Sequence, residues 1–427
     1  MKLKQEMAIC YSVGEGRSLF FFHSIITLKH IKLFGLHPVF LFSQREILLI
    51  QILTFLQLIL IVGVVVYLTV NLIYLVRLEP VLHKLDDPPM VSVCVPARNE
   101  ERGIQACLLS LLKQDYPNFE LIVVNDHSTD RTGKLIQDLA EKNSRLIAVE
   151  GEDLPEGWLG KPFALYQAFQ KAEGEILLFT DADPVFEPHA LRTAVFTMKE
   201  RGLDALTLMP KAEFGSFWER AVQPVIFGFI ASLTRFKNVN DPNDKSAMGF
   251  GAFLMFKRSA YEAIGGHEGG KADVLEDVLI AKRLKKAGFK LLVADAKRLF
   301  SIRMYHGFRE IWTGWRKNMF LAMKRSVARA LYYVFMVLAF LLTPYLILGW
   351  NVVAGTGVLW AGLSLFGVIM VSAATIKTCD ELGLNRINAC LFPIGAVVMA
   401  AIMANSTIQI LVFSRTEWRG RVYPVKR

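Results

Sequence analysis

The chain has 427 residues, 53% of them hydrophobic and 21% charged, with a formal net charge of +10; that composition excludes an unfolded chain. Three windows without Asp, Glu, Lys, Arg or His (47–76, 330–376 and 387–414) exclude an ordinary soluble protein, since each exceeds the ~20 apolar residues that cross a bilayer. The charge is no nucleic-acid footprint: nine Lys/Arg face one acid, Glu310, between Lys297 and Arg329, beside a membrane window and without a groove-reading motif.

Residues 1–46 read as a basic, interfacial segment, because Lys29, His30 and Lys32 interrupt the apolar run Leu19–Leu28. No small-residue cleavage site follows, so no signal peptide is expected. Window 47–76 reads as a transmembrane helix and Leu78–Pro89 as a linker. From Met90 the pattern alternates. Strands are expected at Val91–Val95, Glu120–Val124, Leu146–Val149, Glu175–Thr180 and Ala205–Leu208. Helices are expected at Glu101–Lys113, Asp130–Lys142, Lys161–Lys171 and 188–201. Short apolar runs spaced by amphipathic helices point to βαβ units and a mainly parallel sheet in an α/β domain over 90–300. Ligands of such sheets bind beyond the carboxyl ends of the strands.

Further on, Phe253–Phe256 and Leu291–Ala294 read as strands and Leu275–Ala287 as a helix stopped by Gly288. In 301–329, Phe308, Trp312, Trp315 and Phe320 interleave with Arg309, Arg316 and Lys317. That mixture suits an amphipathic helix in the headgroup layer; packing on the domain is the alternative. Residues 330–414 form a C-terminal membrane region of two or three spans, and 415–427 a basic tail. Four spans in all would put both termini outside, whereas the tail's five basic residues prefer the cytosol. Either one C-terminal segment is re-entrant or the charge rule fails. The five cysteines are odd in number and scattered, with no CxxC pair, so neither a disulfide framework nor a zinc site is expected, and Cys94 reads as a small core residue.

Three acidic positions follow strands or open helices. Asp126, in Asn125-Asp126-His127-Ser128-Thr129-Asp130, can accept hydrogen bonds from a ribose or a base edge; equally, Asp126, Ser128 or Asp130 can simply cap the next helix. Asp181-Ala182-Asp183 places two carboxylates on the same side of an extended chain. They repel unless neutralised, as a divalent cation with open sites for phosphates would do. Glu276-Asp277 opens a helix, where acids are favoured by the dipole alone; otherwise one of them is a general base. No GxGxxG, GxxxxGK[ST] or GxSxG motif is present. His127, His267 and His306 are isolated and read as ordinary polar residues.

Together Pro96-Ala97-Arg98-Asn99-Glu100, the Asp126 segment, Asp181-Ala182-Asp183 and Glu276-Asp277 resemble the ordered motifs of inverting family-2 glycosyltransferases with the GT-A fold. The stretches Leu154–Pro162 and Gly307–Trp312 resemble a narrower branch, the membrane-bound enzymes that glycosylate carotenoids (diaponeurosporenoate glycosyltransferases) or accompany hopanoid synthesis. The resemblance implies a Rossmann-like mixed sheet forming a nucleotide-sugar domain flanked by transmembrane helices. It implies that Pro96, Arg98, Glu100 and Asp126 line the nucleotide pocket and that Lys161 approaches the diphosphate. Asp181 would face the ribose or diphosphate side, and Asp183 would hold Mg²⁺ or Mn²⁺. Asp277 would be the general base, with Glu276 beside it.

The activity so implied is transfer of a hexose, glucose first, from a UDP-sugar to a hydrophobic isoprenoid lipid such as a carotenoid. The enzyme would sit in the plasma membrane as a multi-pass protein with its catalytic domain cytoplasmic. The alternatives are a polyprenyl-phosphate glycosyltransferase, a polysaccharide synthase, or a catalytically silent transporter or scaffold. The QxxRW motif of processive relatives is missing, which favours transfer of a single sugar. Gly265-Gly266-His267 departs from the pattern of such families, which often show an aromatic residue in place of His267.

Overall fold

The computed structural model describes residues 42–83, 85–413, 415–418 and 421–424. Residues 1–41 of the expected interfacial segment, and the side chains of the basic tail, lie outside what it describes. Helix α1 (Gln44–Ile73) opens on a capping box in which Ser43 Oγ accepts from the Glu46 N–H and Glu46 accepts from the Ser43 N–H. Its thirty residues make a rod of about 45 Å. Two residues beyond it, the chain enters strand β1 (Val76–Arg77). The apolar window 47–76 therefore ends inside the domain's sheet rather than at a free linker.

The domain proper runs through β2 (Val91–Ala97), α2 (Ile104–Leu112), β3 (Phe119–Asn125), α3 (Thr132–Ala140), β4 (Leu146–Glu150) and α4 (Gly160–Lys171). Then come β5 (Ile176–Phe179), β6 (Val185–Phe186), α5 (Ala190–Glu200), β7 (Ala205–Met209) and β8 (Lys211–Ala212). It continues through α6 (Phe217–Leu233), α7 (Phe236–Asn240), β9 (Leu254–Lys257), α8 (Arg258–Ala263), α9 (Glu276–Lys286), β10 (Leu291–Asp295) and β11 (Phe300–Ile302). The main sheet has the order β1-β10-β7-β9-β5-β2-β3-β4. Only β9 runs antiparallel to its neighbours, so the sheet is mixed. Strands β6, β11 and β8 form a small second sheet.

Alternation along the strands builds two cores, one per face. Val91, Val93 and Val95 join Leu121 and Val123 beneath α2 and α5, against Ile104, Leu108 and Leu191. Cys94, Ile122 and Val124 point the other way, onto α4 and α9, against Ala164, Ala168, Ile280 and Leu284. Such fully buried Val and Leu side chains contribute about 1.5–3 kcal/mol each. A strand covered on both faces reads as a continuous apolar run, and that is why these strands are visible in the sequence.

Beyond the domain lie α10 (Phe308–Ala322), α11 (Val327–Leu341), α12 (Thr343–Ala354), α13 (Val358–Glu381), α14 (Phe392–Phe413) and the hairpin β12 (Arg415–Trp418) with β13 (Arg421–Pro424). Three described helices (α1, α13 and a unit of residues 386–412 that includes α14) are long and apolar enough to cross a membrane, and four if α11 and α12, bent by 52°, count as one span. Helices α1 and α13 run side by side, with Gly367 against Ile61 and Arg77 paired to Glu381 at 3.2 Å. Polar ties hold the bend: Gln57 Nε2 donates to the Ala339 carbonyl (2.6 Å) and Asn351 Nδ2 to Thr54 Oγ1 (2.8 Å). Buried amides without such partners would be costly.

Helix α6 joins the two halves. Its C-terminal end meets α1, where Asn71 Nδ2 donates to the Ala231 carbonyl at 2.9 Å. At its N-terminus Glu219 is 0% exposed and accepts from Gly215, Ser216 and Gly307 backbone N–H groups and from Nε and Nη2 of Arg303, at 2.7–3.2 Å. Despite its burial, these donors hold the Glu219 carboxyl down to about 2. One carboxylate thus fixes the start of α6, the end of β11 and the turn into α10. Glu219→Ala would strand these buried donors, and we expect it to cost about 3 kcal/mol, read as a lowered Tm in detergent beside Glu213→Ala as the control.

Candidate active site

Two loops at the carboxyl ends of β2 and β3 are laced together by backbone-directed hydrogen bonds. Arg98 Nη1 donates to the Asp126 carbonyl at 2.6 Å, and the Asn99 N–H donates to Ser128 Oγ at 3.1 Å. In return the Thr129 N–H donates to Asn99 Oδ1 at 2.8 Å, and the Glu100 N–H donates to Thr132 Oγ1 at 2.8 Å. Asn99 and His127 both adopt positive φ (54° and 50°), a conformation Asn and His tolerate better than β-branched residues. No side chain caps α3 at its N-cap, Arg131; Asp130, one residue earlier, accepts from the Thr132 and Glu101 N–H groups. Asp126, 7% exposed, sets its carboxylate 4.0 Å from Arg98 instead.

The acidic pair follows β5. Thr180 Oγ1 donates to the Ala252 carbonyl at 2.8 Å, anchoring the strand end. Gly103, before α2, lies so close that a Cβ there would sit 3.3 Å from the Asp183 Cβ. Asp181 is bound by Lys161, whose Nζ lies 2.7 Å from Asp181 Oδ1 and 2.7 Å from Glu276 Oε1. Lys161 comes from the first turn of α4 and Glu276 from the first turn of α9. Three elements distant in sequence therefore meet at one ammonium. Asp277, next to Glu276, accepts from the Gly251 N–H (3.0 Å) and the Val278 N–H (2.8 Å). A Cβ on Gly251 would come within 2.9 Å of Lys161 Nζ, so glycine is what lets this loop close over the cluster.

The electrostatics divide the two adjacent acids. Burial and the neighbouring Glu276 charge push Asp277 up to about 7, against an ordinary 3.8. Burial opposes the charge on Lys161, but Asp181, Glu276 and Asp277 outweigh it and hold the ammonium well above its usual range. The arrangement therefore offers a permanent cation between two carboxylates and, beside them, a third carboxyl able to exchange a proton near neutrality.

Lys317 was not singled out from the sequence as a site residue. It arrives on α10, where burial drops its ammonium to about 8, with Glu276, Lys161, Asp181 and Asp277 as the charges it feels. Its only sequence signal was membership of the aromatic and basic stretch that reads as interfacial. His267 goes the other way. It is 1% exposed, its Nδ1 lies 2.6 Å from the Tyr261 hydroxyl, and its ring packs on Phe179 at 4.7 Å. Burial lowers it to about 3, so it is a neutral core residue.

One cavity of about 3070 Å³ is lined by Pro96, Arg98, Glu100, Asp126, Lys161, Asp181, Asp183, Glu276, Asp277 and Lys317. All nine candidate residues thus meet in a single space. The same cavity continues past α6 to walls made by α1 (Val64, Leu68), α11 (Tyr333, Val337) and α13 (Met370, Ala374).

Residues 92–265 match the family model "Glycosyl transferase family 2", and the chain carries a domain of that family. The 4,4'-diaponeurosporenoate glycosyltransferase of Staphylococcus haemolyticus (strain JCSC1435) is 26% identical over 234 residues, 54% of this chain and 60% of the relative. That of Staphylococcus aureus (strain USA300) matches with the same identity and coverage. The chain thus spans about 60% of the length of these curated relatives. Among solved structures, the mannosyltransferase PcManGT from Pyrobaculum calidifontis, in complex with GDP-Man and Mn2+, is 20% identical. It covers 85% of this chain and 99% of its own, with a TM-score of 0.48. Staphylococcus aureus TarS 1–349 in complex with UDP is 16% identical, covering 78% and 95%, with a TM-score of 0.37.

The Asp277 carboxyl is expected to titrate near neutrality. In difference infrared spectra a protonated-carboxyl band should be present at about pH 6 and lost by about pH 8, and Asp277→Asn should lack it. A band persisting unchanged in the variant would assign that proton elsewhere.

Proposed function

We propose that this chain is a membrane glycosyltransferase that moves a hexose, glucose first, from a UDP-sugar to a hydrophobic isoprenoid lipid in one inverting displacement. The observation that carries this reading is the single cavity, which begins at the Lys161–Asp181–Asp277 cluster and ends between apolar helices. A soluble acceptor needs no apolar chamber between helices able to span a bilayer; a lipid does. The family-2 domain and the carotenoid glycosyltransferase relatives support the same reaction class.

The acceptor hydroxyl oxygen would attack the anomeric carbon as the bond to UDP breaks, and the leaving diphosphate would take the electron pair. Asp277 receives the hydroxyl proton, and a carboxyl near 7 is matched to that task at neutral pH. Lys161 and Lys317 bring positive charge to the side where the diphosphate develops its own. Arg98, Glu100, Asp126 and Pro96 shape the nucleotide end. Asp183, with Asp181 beside it, suits a hard divalent cation, Mg²⁺ or Mn²⁺. Such an ion binds through one or two protein carboxylates and completes its shell with water and phosphate, so the absence of a cluster of three His, Cys, Asp or Glu among the described residues is no obstacle. When bound, the ion would supply Lewis-acid stabilisation of the leaving diphosphate. Nucleotide sugars are cytosolic, which supports a catalytic domain on that side of the plasma membrane.

The test is radiolabel transfer from UDP-glucose into solvent-extractable lipid, in membranes expressing the chain. We expect label in a neutral isoprenoid band, lost with EDTA and in Asp183→Ala. Label in a lipid phosphate or in a polymer would replace this acceptor with one of its rivals. Asp277→Asn should lower transfer to a hydroxyl by about 10²–10⁴-fold. It should lower transfer to a carboxylic acid, already ionised near neutral pH, by much less. In the native enzyme kcat/KM for a hydroxyl acceptor should fall as the pH drops below about 7, because protonation removes the base.

Ala374→Trp, far from the carboxylates, fills the apolar part of the cavity. We expect it to slow lipid transfer more than about tenfold while UDP-sugar binding is retained, and equal loss of both would sink the chamber as the acceptor site.

A further inference from the structure

We infer that α14, although apolar enough to span, lies flat in the headgroup layer on the catalytic side. Its exposed stripe Ile394, Val397, Ala401, Ala404, Ile408 and Leu411 is seated in lipid, and the C-terminal hairpin stays on the side of the catalytic domain. This rests on the reading above that α1 and α13 cross the membrane.

The argument starts from α10, which is tied to the domain along its length. Near its start, Glu310 pairs with Arg102, just before α2, at 3.1 Å. Two turns later, Lys317 lines the same cavity as Glu276, Asp181 and Asp277. Three residues beyond that, the Phe320 N–H donates to Ser406 Oγ at 3.0 Å. Ser406 therefore lies at the level of the catalytic cleft.

The start of α14 lies at the same level. Gly395 is pressed against α6 so closely that a Cβ would meet the Ala221 carbonyl at 2.0 Å. Helix α6 reaches from there to Thr378, one turn before Glu381, which bonds Lys297 of the domain at 3.0 Å. An upright α14 would separate Phe392 and Ser406 by about 21 Å of depth, most of a ~30 Å hydrocarbon core. Contacts with α6 at one end and α10 at the other leave no such rise.

Two further observations agree. The buried residues Met399, Ile402 and Met403, which join the core shared with α6, α10 and α11, and Ser406 form one face of α14, and the exposed residues recur every three or four positions on the other. Strand β12 packs back against α10, so the chain after α14 returns to the domain. The lipid-facing stripe continues the exposed apolar surface of the neighbouring α11 (Leu331, Phe335). This geometry also removes the conflict in the sequence. The tail's five basic residues follow, in sequence, a helix that does not cross, so the preference of basic residues for the cytosol no longer conflicts with the count of spans.

The test is spin-label depth in the full chain reconstituted in phosphatidylcholine–phosphatidylglycerol vesicles, with Cys10 and Cys390 replaced by serine. Labels are placed singly at Ile394, Ala401, Ile408 and Leu411, and at Leu49, Leu56 and Val66 of α1 as the crossing standard. We expect one shallow depth for all four α14 sites and a depth profile through the bilayer centre for α1. A profile along α14 that passes through the centre, spread over the ~25 Å from Ile394 to Leu411, would overturn the inference and leave the membrane reading intact. Labels on both helices reporting only water would overturn both. As a second reading, a protease site appended after Arg427 should be cut only from the side on which UDP-sugar is consumed; cleavage from the opposite side would also overturn it.

Discussion

The structure turns on Lys161. Its ammonium makes two 2.7 Å ion pairs, to Asp181 at the end of β5 and to Glu276 at the start of α9, with Asp277 alongside. Three carboxyl groups cannot gather in a cleft without a compensating charge, because like charges at this distance cost several kcal/mol outside bulk water. Lys161 supplies that charge from the first turn of α4. A buried ion pair of this kind is a poor source of stability, since desolvation offsets most of the Coulombic gain. Its value is positional. It holds Glu276 in an ion pair and leaves the adjacent Asp277 close to the point of exchanging a proton.

The rest of the fold can be understood as bringing these groups to one place. A mixed sheet covered on both faces sends its strand ends to a common edge, and the loops there are stitched by Asn99, Ser128, Asp130 and Thr132 rather than left mobile. Glycines do the fine positioning where space decides. Gly251 lets a loop pass over Lys161 and Asp277, and Gly103 lets α2 begin against Asp183. Helix α10 adds Lys317 from outside the sheet and, through the Glu310–Arg102 ion pair, walls the same cavity.

The half built from apolar helices is less a separate bundle than an extension of the cleft. Glu219 welds α6 to the turn before α10, and α6 in turn touches α1, α13 and α14. A cavity that runs from charged groups to apolar helix walls needs both halves to be built on one frame. The ion pairs of Arg77 and Lys297 with Glu381, on the last turn of α13, serve that purpose.

Much of this was legible in the chain itself. Strands buried on both faces leave continuous apolar runs, and helices between them leave a 3.6-residue period, so the α/β character follows from periodicity alone. The acids Asp126, Asp181, Asp183, Glu276 and Asp277 announced themselves by standing at element ends, where backbone geometry exposes them. What periodicity cannot encode is contact between distant segments. That Asp126 lies beside Arg98 while Asp130 accepts from the Glu101 N–H, that Glu276 pairs with Lys161 while Asp277 is raised toward neutrality, that Lys317 joins the site and His267 leaves it for the core, all depend on neighbours distant in sequence. The short strands β6, β8 and β11 and the antiparallel β9 were decided the same way, by pairing and not by local preference. The depth of α14 is the clearest case. Its composition says only that it prefers hydrocarbon to water, and a flat helix satisfies that as well as an upright one; packing against α6 and α10 chooses between them.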